Sequence, residues 1–446
     1  MQIINSTTQI IDLPELLRRD EKDAAALMAK VAAVLQDVRL RGDAAVCDFT
    51  RAFDSIDTGT PRIMSRVELE EYCKQTARPA LTDDQIEAIE LAVANISWFA
   101  SQSMPSSWSA IAPDGQIVGE VFRPFDRVAC YVPQGSFPLV STAIHTAALA
   151  RVAGVSEIVM VTSPSDRPLN PAVVYAAMLS GITEIIFAGG AQGIAAVAYG
   201  TETINRVDFI CGPGNQYVAE AKRQLFGTVG IDMVAGPSEC FVIADDTAEP
   251  YAVACDLIAQ AEHGSGLEAA VLLTDSQELI DSVAQVLETI KDRIVGNPGF
   301  LQVWDNTLLL VLTDNIETAV KLTNNCAPEH VEVQTLDSGL DAQGLINAGA
   351  VFIGSYSAEP LGDFVAGPSH VLPTNGTARF TSGLSVSHFM NRKSTISITA
   401  ESYPVLAQAS KEFADMEGLV GHGMSSVARV ENNNFAGSDP AKGNEK

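Results

Sequence analysis

The sequence predicts an α/β protein built on largely parallel sheets. Three observations carry that prediction. After Phe122, short apolar runs alternate with Ala-rich helical stretches, separated by turns rich in Gly, Pro and Ser. This is the texture of repeated βαβ units. A second run of similar units begins near Glu239. At 446 residues, the chain is longer than one hydrophobic core ordinarily serves, so two or three units are expected.

In chain order, the first hundred residues read as largely helical. Leu27, Val31, Val34 and Leu35 keep helical spacing within 14–48, and a second helix is expected around 82–98. The polar stretch 101–116 holds Pro105 and Pro113 and reads as a connector. Strands are expected at 157–161 and 184–187, with helices at 141–152, 170–179, 192–198 and 216–225. The second run gives strands at 240–244, 269–273, 307–312 and 350–353, and helices at 250–262, 277–294 and 316–326. Beyond Ser385 the pattern is mixed, with a helix from Tyr403 to about Met416. The polar stretch 431–446 reads as disordered.

Composition narrows the function. With 47% apolar residues, disorder of the whole chain is excluded. The 55 acidic residues outnumber the 28 basic ones, giving a formal net charge of −27. That field argues against nucleic acid or an anionic membrane as the main partner. The stretch MQIINSTTQIIDLPELLRRD lacks the apolar core of a secretory signal, and no segment reads as a membrane span. Seven widely spaced cysteines without a CxxC suit free thiols in a reducing, cytoplasmic setting.

Neither GxGxxG nor GxxxxGK[ST] occurs. Three glycine-containing turns, at 188–193, 211–217 and 235–239, could turn their N–H groups toward a pyrophosphate or carboxylate. Ordinary tight turns explain them equally well. The six histidines say more. Gln260 and His263 are three residues apart in DLIAQAEH, so one helix face could present both to a metal. For His263 alone, a helix C-terminal charge is an equal reading. Glu329 and His330 are an adjacent acid–base pair, Asp363 and His370 bracket GDFVAGPSH, and Glu417 and His422 bracket EGLVGH. His145 and His388 have apolar neighbours and read as packed or surface residues.

Over roughly residues 20–430 the sequence resembles the histidinol dehydrogenase family. The matching runs are CYVP (130–133), GGAQGIAAVAYGT (189–201), GPGNQYVAEAKR (212–223), GIDMVAGPSE (230–239), DLIAQAEHG (256–264), NNCAPEH (324–330), GDFVAGPSHVLPT (362–374) and EGLVGH (417–422). The resemblance implies zinc- and NAD-dependent oxidation of L-histidinol, through its aldehyde, to L-histidine. It implies zinc ligands at Gln260, His263, Asp363 and His422. It implies catalysis by Glu329 and His330, and substrate contacts from Ser238, His370 and Glu417 beside the zinc ligands and His330. Tyr131, Gln192 and Asn215 would contact the nucleotide.

The implied architecture is two incomplete Rossmann-like domains, a helical N-terminal region and a C-terminal tail that crosses a homodimer. Residues 1–26 would form an arm, 27–130 and 238–384 a catalytic metal-binding domain, 131–237 a nucleotide domain, and 385–446 the tail. Two runs depart from the family pattern. PQGSFPLVST (133–142) is shortened, with Gln134 in a glycine place, and GSGLEA (264–269) lacks the usual proline. A paralogue acting on another small polar alcohol, such as a sulfonated diol, is therefore the alternative. An inactive scaffold and a metal-dependent hydrolase are further alternatives from other classes.

Overall fold

The structure, a computed structural model, describes residues 1–8, 11–17, 24–134, 138–294 and 298–431. Residues 135–137 of the shortened run, and all but the first residue of the stretch expected to be disordered, lie outside the described residues. The chain divides into two compact units. One holds Met1–Ser103 and Phe125–Phe389; the other holds Met104–Pro124 and the residues from Met390 on.

The strands in chain order are β1 (Gln2–Asn5), β2 (Arg62–Ser65), β3 (Trp108–Ile111), β4 (Ile117–Pro124) and β5 (Arg127–Tyr131). They continue with β6 (Glu157–Thr162), β7 (Glu184–Phe187), β8 (Phe209–Cys211), β9 (Gly230–Ile231) and β10 (Glu239–Ala244). The last five are β11 (Ala269–Thr274), β12 (Leu308–Leu312), β13 (His330–Gln334), β14 (Ala350–Ile353) and β15 (Met390–Ser397). The first unit contains two six-stranded sheets, in the orders β2-β7-β6-β5-β8-β9 and β1-β12-β11-β10-β13-β14. Every pairing in them is parallel except β2 with β7.

The central strands β5, β10, β11 and β13 are buried along their whole length, as sheets covered on both faces require. Cys240, Val242 and Ala244 of β10 enter one core, with Leu257 and Val283. Phe241 and Ile243 enter the core on the opposite face, with Val331 and Val333. Gly154 and Gly181 close the helices Val140–Ala153 and Pro171–Ser180 in the left-handed conformation. The chain then returns directly to β6 and β7.

The first hundred residues are less helical than the spacing predicts. β1 adds to the edge of one sheet through β12, and β2 adds to the other through β7. Within 14–48, Gly42 (φ 54°) separates the helices Ala24–Arg41 and Asp43–Asp54. The segment 27–130, expected to share a domain with 238–384, supplies β2 and β5 to the sheet of 131–237 instead. The apolar stripe Val31, Leu35 and Val38 packs into that sheet's core with Val159 and Ile194.

One buried ion pair fixes the turn after β8. Lys222, 2% exposed, pairs with Asp232 and donates to the Gly212 carbonyl at 3.0 Å. Asp232 Oδ2 accepts the Gly212 N–H at 2.8 Å. Gly212 has φ 109°, and a Cβ there would stand 2.3 Å from the Tyr131 carbonyl oxygen. Only glycine fits this approach of the turn to the end of β5.

The second unit has the antiparallel sheet β15-β4-β3 and the helices Tyr403–Glu417 and Val420–Glu431. The expected connector 101–116 thus contains a strand, because Trp108–Ile111 pairs with β4.

Candidate active site

The site lies in the first unit, where loops from both sheets line a cavity of about 710 Å³. Ser238, His263, Glu329, His330, Asp363 and His370 all line it, although 132 residues separate the first from the last. Ser238 and Glu329 directly precede β10 and β13, and His330 opens β13. The cluster therefore stands at the amino ends of these strands. Leu139, Thr142 and Pro213, which follow β5 and β8 in the other sheet, line the same cavity.

His330 is the hub. Its Nδ1 lies 3.2 Å from the Glu239 carbonyl oxygen, which can only accept, so that nitrogen carries hydrogen. Its Nε2 has no hydrogen-bond partner and faces Asp363 Oδ1 at 3.6 Å and Glu359 Oε1 at 3.8 Å. These three side chains bring one potential ligand atom each within 4.8 Å of one another. Burial opposes charge on His330, but Glu329, Asp363 and Glu359 outweigh it and raise the imidazole to about 10. Burial likewise raises Glu329 to about 7, the range of a carboxyl that can give or take a proton near neutrality. Glu329 Oε2 accepts the Glu239 N–H at 3.2 Å. Burial and the neighbouring Asp363 push Glu359 up to about 8. Burial also opposes the charge on Asp363, yet the hydrogen bond and charge of His330 hold it below the usual carboxylate range.

The helix Pro250–Ala261 carries Gln260 in its last turn and ends before His263. The shared-face expectation is corrected accordingly: His263 stands in the turn that follows. Its Nδ1 lies 3.2 Å from the Gln260 carbonyl oxygen, which leaves Nε2 as the nitrogen that could face a ligand. Gln260 is fully buried, and neither Oε1 nor Nε2 has a hydrogen-bond partner. An amide buried in that state implies a missing group, because leaving it unsatisfied is costly. The unusual run after His263 is a closed turn, with Glu268 accepting from Ser265 N at 2.9 Å and Gly266 N at 2.8 Å.

The expected nucleotide residues gather at the carboxyl edge of the sheet around β5. Tyr131 ends β5, and its hydroxyl accepts the Gly190 N–H at 3.0 Å. Gln192 lies buried in the first turn of the helix Gly190–Tyr199, with Oε1 unpartnered. Asn215 caps the helix Gln216–Leu225 through Oδ1, leaving only its amide group for a ligand. A cavity of about 780 Å³ adjoins this edge, lined by Asp54, Val132, Pro133, Thr162 and Ser163 among others. Glu417 and His422 belong to the second unit, where both are exposed.

The histidinol dehydrogenase family model matches residues 17–430. The chain belongs to the histidinol dehydrogenase family. It is 42% identical over 421 residues to the histidinol dehydrogenase of a Synechococcus strain, covering 93% of this chain and 95% of that one. The Burkholderia lata histidinol dehydrogenase is 39% identical over 423 residues, covering 94% and 96%. The crystal structure of histidinol dehydrogenase from Elizabethkingia anophelis superposes with a TM-score of 0.89 at 32% identity, covering 97% and 99%.

In this family member, sequence reasoning passes over Glu359 and reads His145 only as a packed or surface residue. Glu359 stands four residues before Asp363 on the helix Glu359–Phe364, a spacing that could have marked it. His145 is fully buried, as a packed residue should be, yet it makes a directed contact. The His370 N–H donates to its Nδ1 at 3.2 Å, and the two rings lie 4.5 Å apart. Burial lowers His145 to about 3 and also lowers His370. The unfolded imidazole titrates near ~6.5, so the folded state binds fewer protons below that pH. Stability is therefore full above ~6.5 and is lost as pH falls toward 3, by about 1.4 kcal/mol per pH unit for such a group. His145→Asn keeps an acceptor for the His370 N–H but cannot take the proton. Its melting temperature should fall less steeply between pH 7 and pH 5 than that of the unaltered protein. Parallel pH profiles would contradict this account of His145.

Proposed function

We propose that the chain oxidises L-histidinol, through a bound aldehyde, to L-histidine, using zinc and NAD. One observation carries the reading. The carboxyl-edge loops of the sheet holding Tyr131 share a cavity with the acid–base cluster at the amino ends of β10 and β13. A hydride acceptor on one side and a base on the other is the arrangement an alcohol oxidation needs. The two sheets are read as the cores of incomplete Rossmann-like domains.

Gln260, His263 and Asp363 would hold zinc, joined by His422 of the partner subunit. Two oxygens and two imidazole nitrogens suit this ion, and the unpartnered Gln260 amide supports the fit. When bound, zinc supplies a Lewis acid for the substrate oxygen and offsets the carboxylate charge around His330. NAD, held by Tyr131, Gln192 and Asn215, supplies the hydride acceptor. His330 takes the hydroxyl proton at Nε2, since its Nδ1 is committed to the Glu239 carbonyl. Glu329 then takes a proton from the water that adds to the aldehyde. Ser238, His370 and the partner's Glu417 orient the substrate.

The relatives favour histidinol over a sulfonated diol, since those at 39% and 42% identity are histidinol dehydrogenases. A hydrolase or an inactive scaffold would not reduce NAD. Seven free cysteines are in keeping with a cytoplasmic setting. No helix among the described residues is long and apolar enough to cross a membrane.

The acid–base pair should divide the labour. His330→Asn should depress both oxidations by about 10²-fold or more, the usual contribution of general base catalysis. Glu329→Gln should slow aldehyde oxidation more than alcohol oxidation, because only the second step needs activated water. Feeding each substrate separately and following NAD reduction tests this; equal losses on both would remove the water-activating role from Glu329.

A homodimer with shared sites is the second part of the reading. Exposed Val405, Phe413, Met416, Val420 and Met424 on the two helices of the second unit support burial against a partner. Mixing inactive His263→Ala and His422→Ala chains should restore up to roughly a quarter of full activity, since half the dimers are mixed and each has one intact site. Mixed dimers, verified with two tags, that remain inactive would place His422 in its own subunit's site.

A further inference from the structure

Alternate residues of β13, His330, Glu332 and Gln334, share one face of that strand, and all three are buried. Val331 and Val333 on the other face enter an apolar core. The polar face meets two other elements. Gln334 Nε2 donates to Glu332 Oε2 at 2.6 Å and to Asp256 Oδ2 at 2.8 Å. Asp256 lies one turn before Gln260 on the helix Pro250–Ala261. Glu332 Oε1 accepts the Glu359 N–H at 2.7 Å, at the start of the helix that carries Glu359 and Asp363.

We propose that Glu332 is a positioning residue, whose carboxyl ties three elements into one register: the strand bearing His330, the helix bearing Gln260 and the helix bearing Asp363. It touches neither the proposed ligands nor the reacting atoms. Its effect passes through the backbone of Glu359 and through the amide of Gln334. The helix Glu359–Phe364 has only six residues and no side-chain cap of its own, so this one buried acceptor has unusual influence over it. A register error of a few tenths of an ångström there displaces Asp363 relative to Gln260 and His263. Partners outside a metal's ligand shell commonly set its affinity in this way.

The inference rests on the proposed zinc site for its consequence, but the restraint on the helix can be measured without metal. Glu332→Leu removes the acceptor. Glu332→Gln keeps an oxygen for the Glu359 N–H, but its amide nitrogen replaces the oxygen that accepts from Gln334 Nε2, so that link survives only by turning the Gln334 amide. Gln334→Met, which removes the bridging amide, is the second test should Glu332→Leu fail to fold. Two readouts are needed: zinc affinity by competition with a chromophoric chelator, and hydrogen exchange of amides 359–364 in metal-free protein.

Glu332→Leu should weaken zinc by about 10- to 100-fold and speed exchange selectively at 359–364. Glu332→Gln, which keeps the acceptor for the Glu359 N–H, should leave exchange at 359–364 near that of the unaltered protein and lose less zinc affinity than Glu332→Leu. Gln334→Met should weaken zinc in the same direction. Unchanged zinc affinity in Glu332→Leu, with or without faster exchange, would overturn the proposal, as would equal losses in Glu332→Leu and Glu332→Gln. If unaltered protein bound no zinc at all, the metal assignment would fall. Exchange at 359–364 would then decide alone whether Glu332 positions the helix.

Discussion

Three carboxylates, two buried and one half-buried, share a single imidazole. Glu329, Glu359 and Asp363 each lie within 4.0 Å of a ring nitrogen of His330, and each is largely shielded from water. Charge withdrawn from water needs a partner, and one ring cannot balance three carboxylates. The protein meets the excess in part with protons, which is why Glu329 and Glu359 are raised while Asp363 stays ionised. A dication held at Asp363, as proposed, would meet it further and would favour release of the proton on His330. Metal binding at Asp363 and the protonation of His330 and Glu329, in the roles proposed for them, would thus be one electrostatic problem.

The topology decides where that problem is placed. Ligands of open parallel sheets usually sit beyond the carboxyl ends of the strands. Tyr131, Gln192 and Asn215, proposed to hold the nucleotide, lie where that rule puts a ligand in the sheet around β5. The cluster around His330 does not, because it occupies the amino ends of β10 and β13. Two sheets with the same strand order therefore meet at the site with opposite edges. The clamp of Lys222 and Asp232 on Gly212 fixes one edge, and the network of Gln334, Asp256 and Glu332 fixes the other. Each uses a buried polar network that joins several elements at once, the first at a turn and the second between a strand and two helices.

Much of this was legible in the sequence because its signals are local. The alternation of buried strands and helices gave elements such as Gln216–Leu225 and Ile316–Cys326 almost residue for residue. Six of the candidate site residues line one cavity, and the ordered motifs had already named them. What stayed hidden depends on distant partners. Trp108–Ile111 is short and lies between Pro105 and Pro113, which hid its hairpin pairing with the next strand, β4, and β1 and β2 are edge strands whose partners lie more than a hundred residues away. The helix Ala24–Arg41 shows an apolar stripe but not which sheet receives it. His145 looked like packing, and packing is part of its role. In HVEVQ the period-2 alternation was visible, but a buried strand with a polar face has meaning only once Asp256 and Glu359 stand opposite.

The proposed chemistry is a four-electron oxidation carried out in one metal-dependent site. Its most direct test counts products. Purified protein is supplied with L-histidinol and excess NAD, and histidine and reduced nicotinamide are measured together. Each NAD accepts two electrons, so two reduced cofactors should form per histidine, with no free aldehyde accumulating. Removal of the metal by a chelator should stop both, and zinc should restore both. One reduced cofactor per turnover with aldehyde released, or histidinol left untouched while another alcohol reduces NAD, would contradict the account.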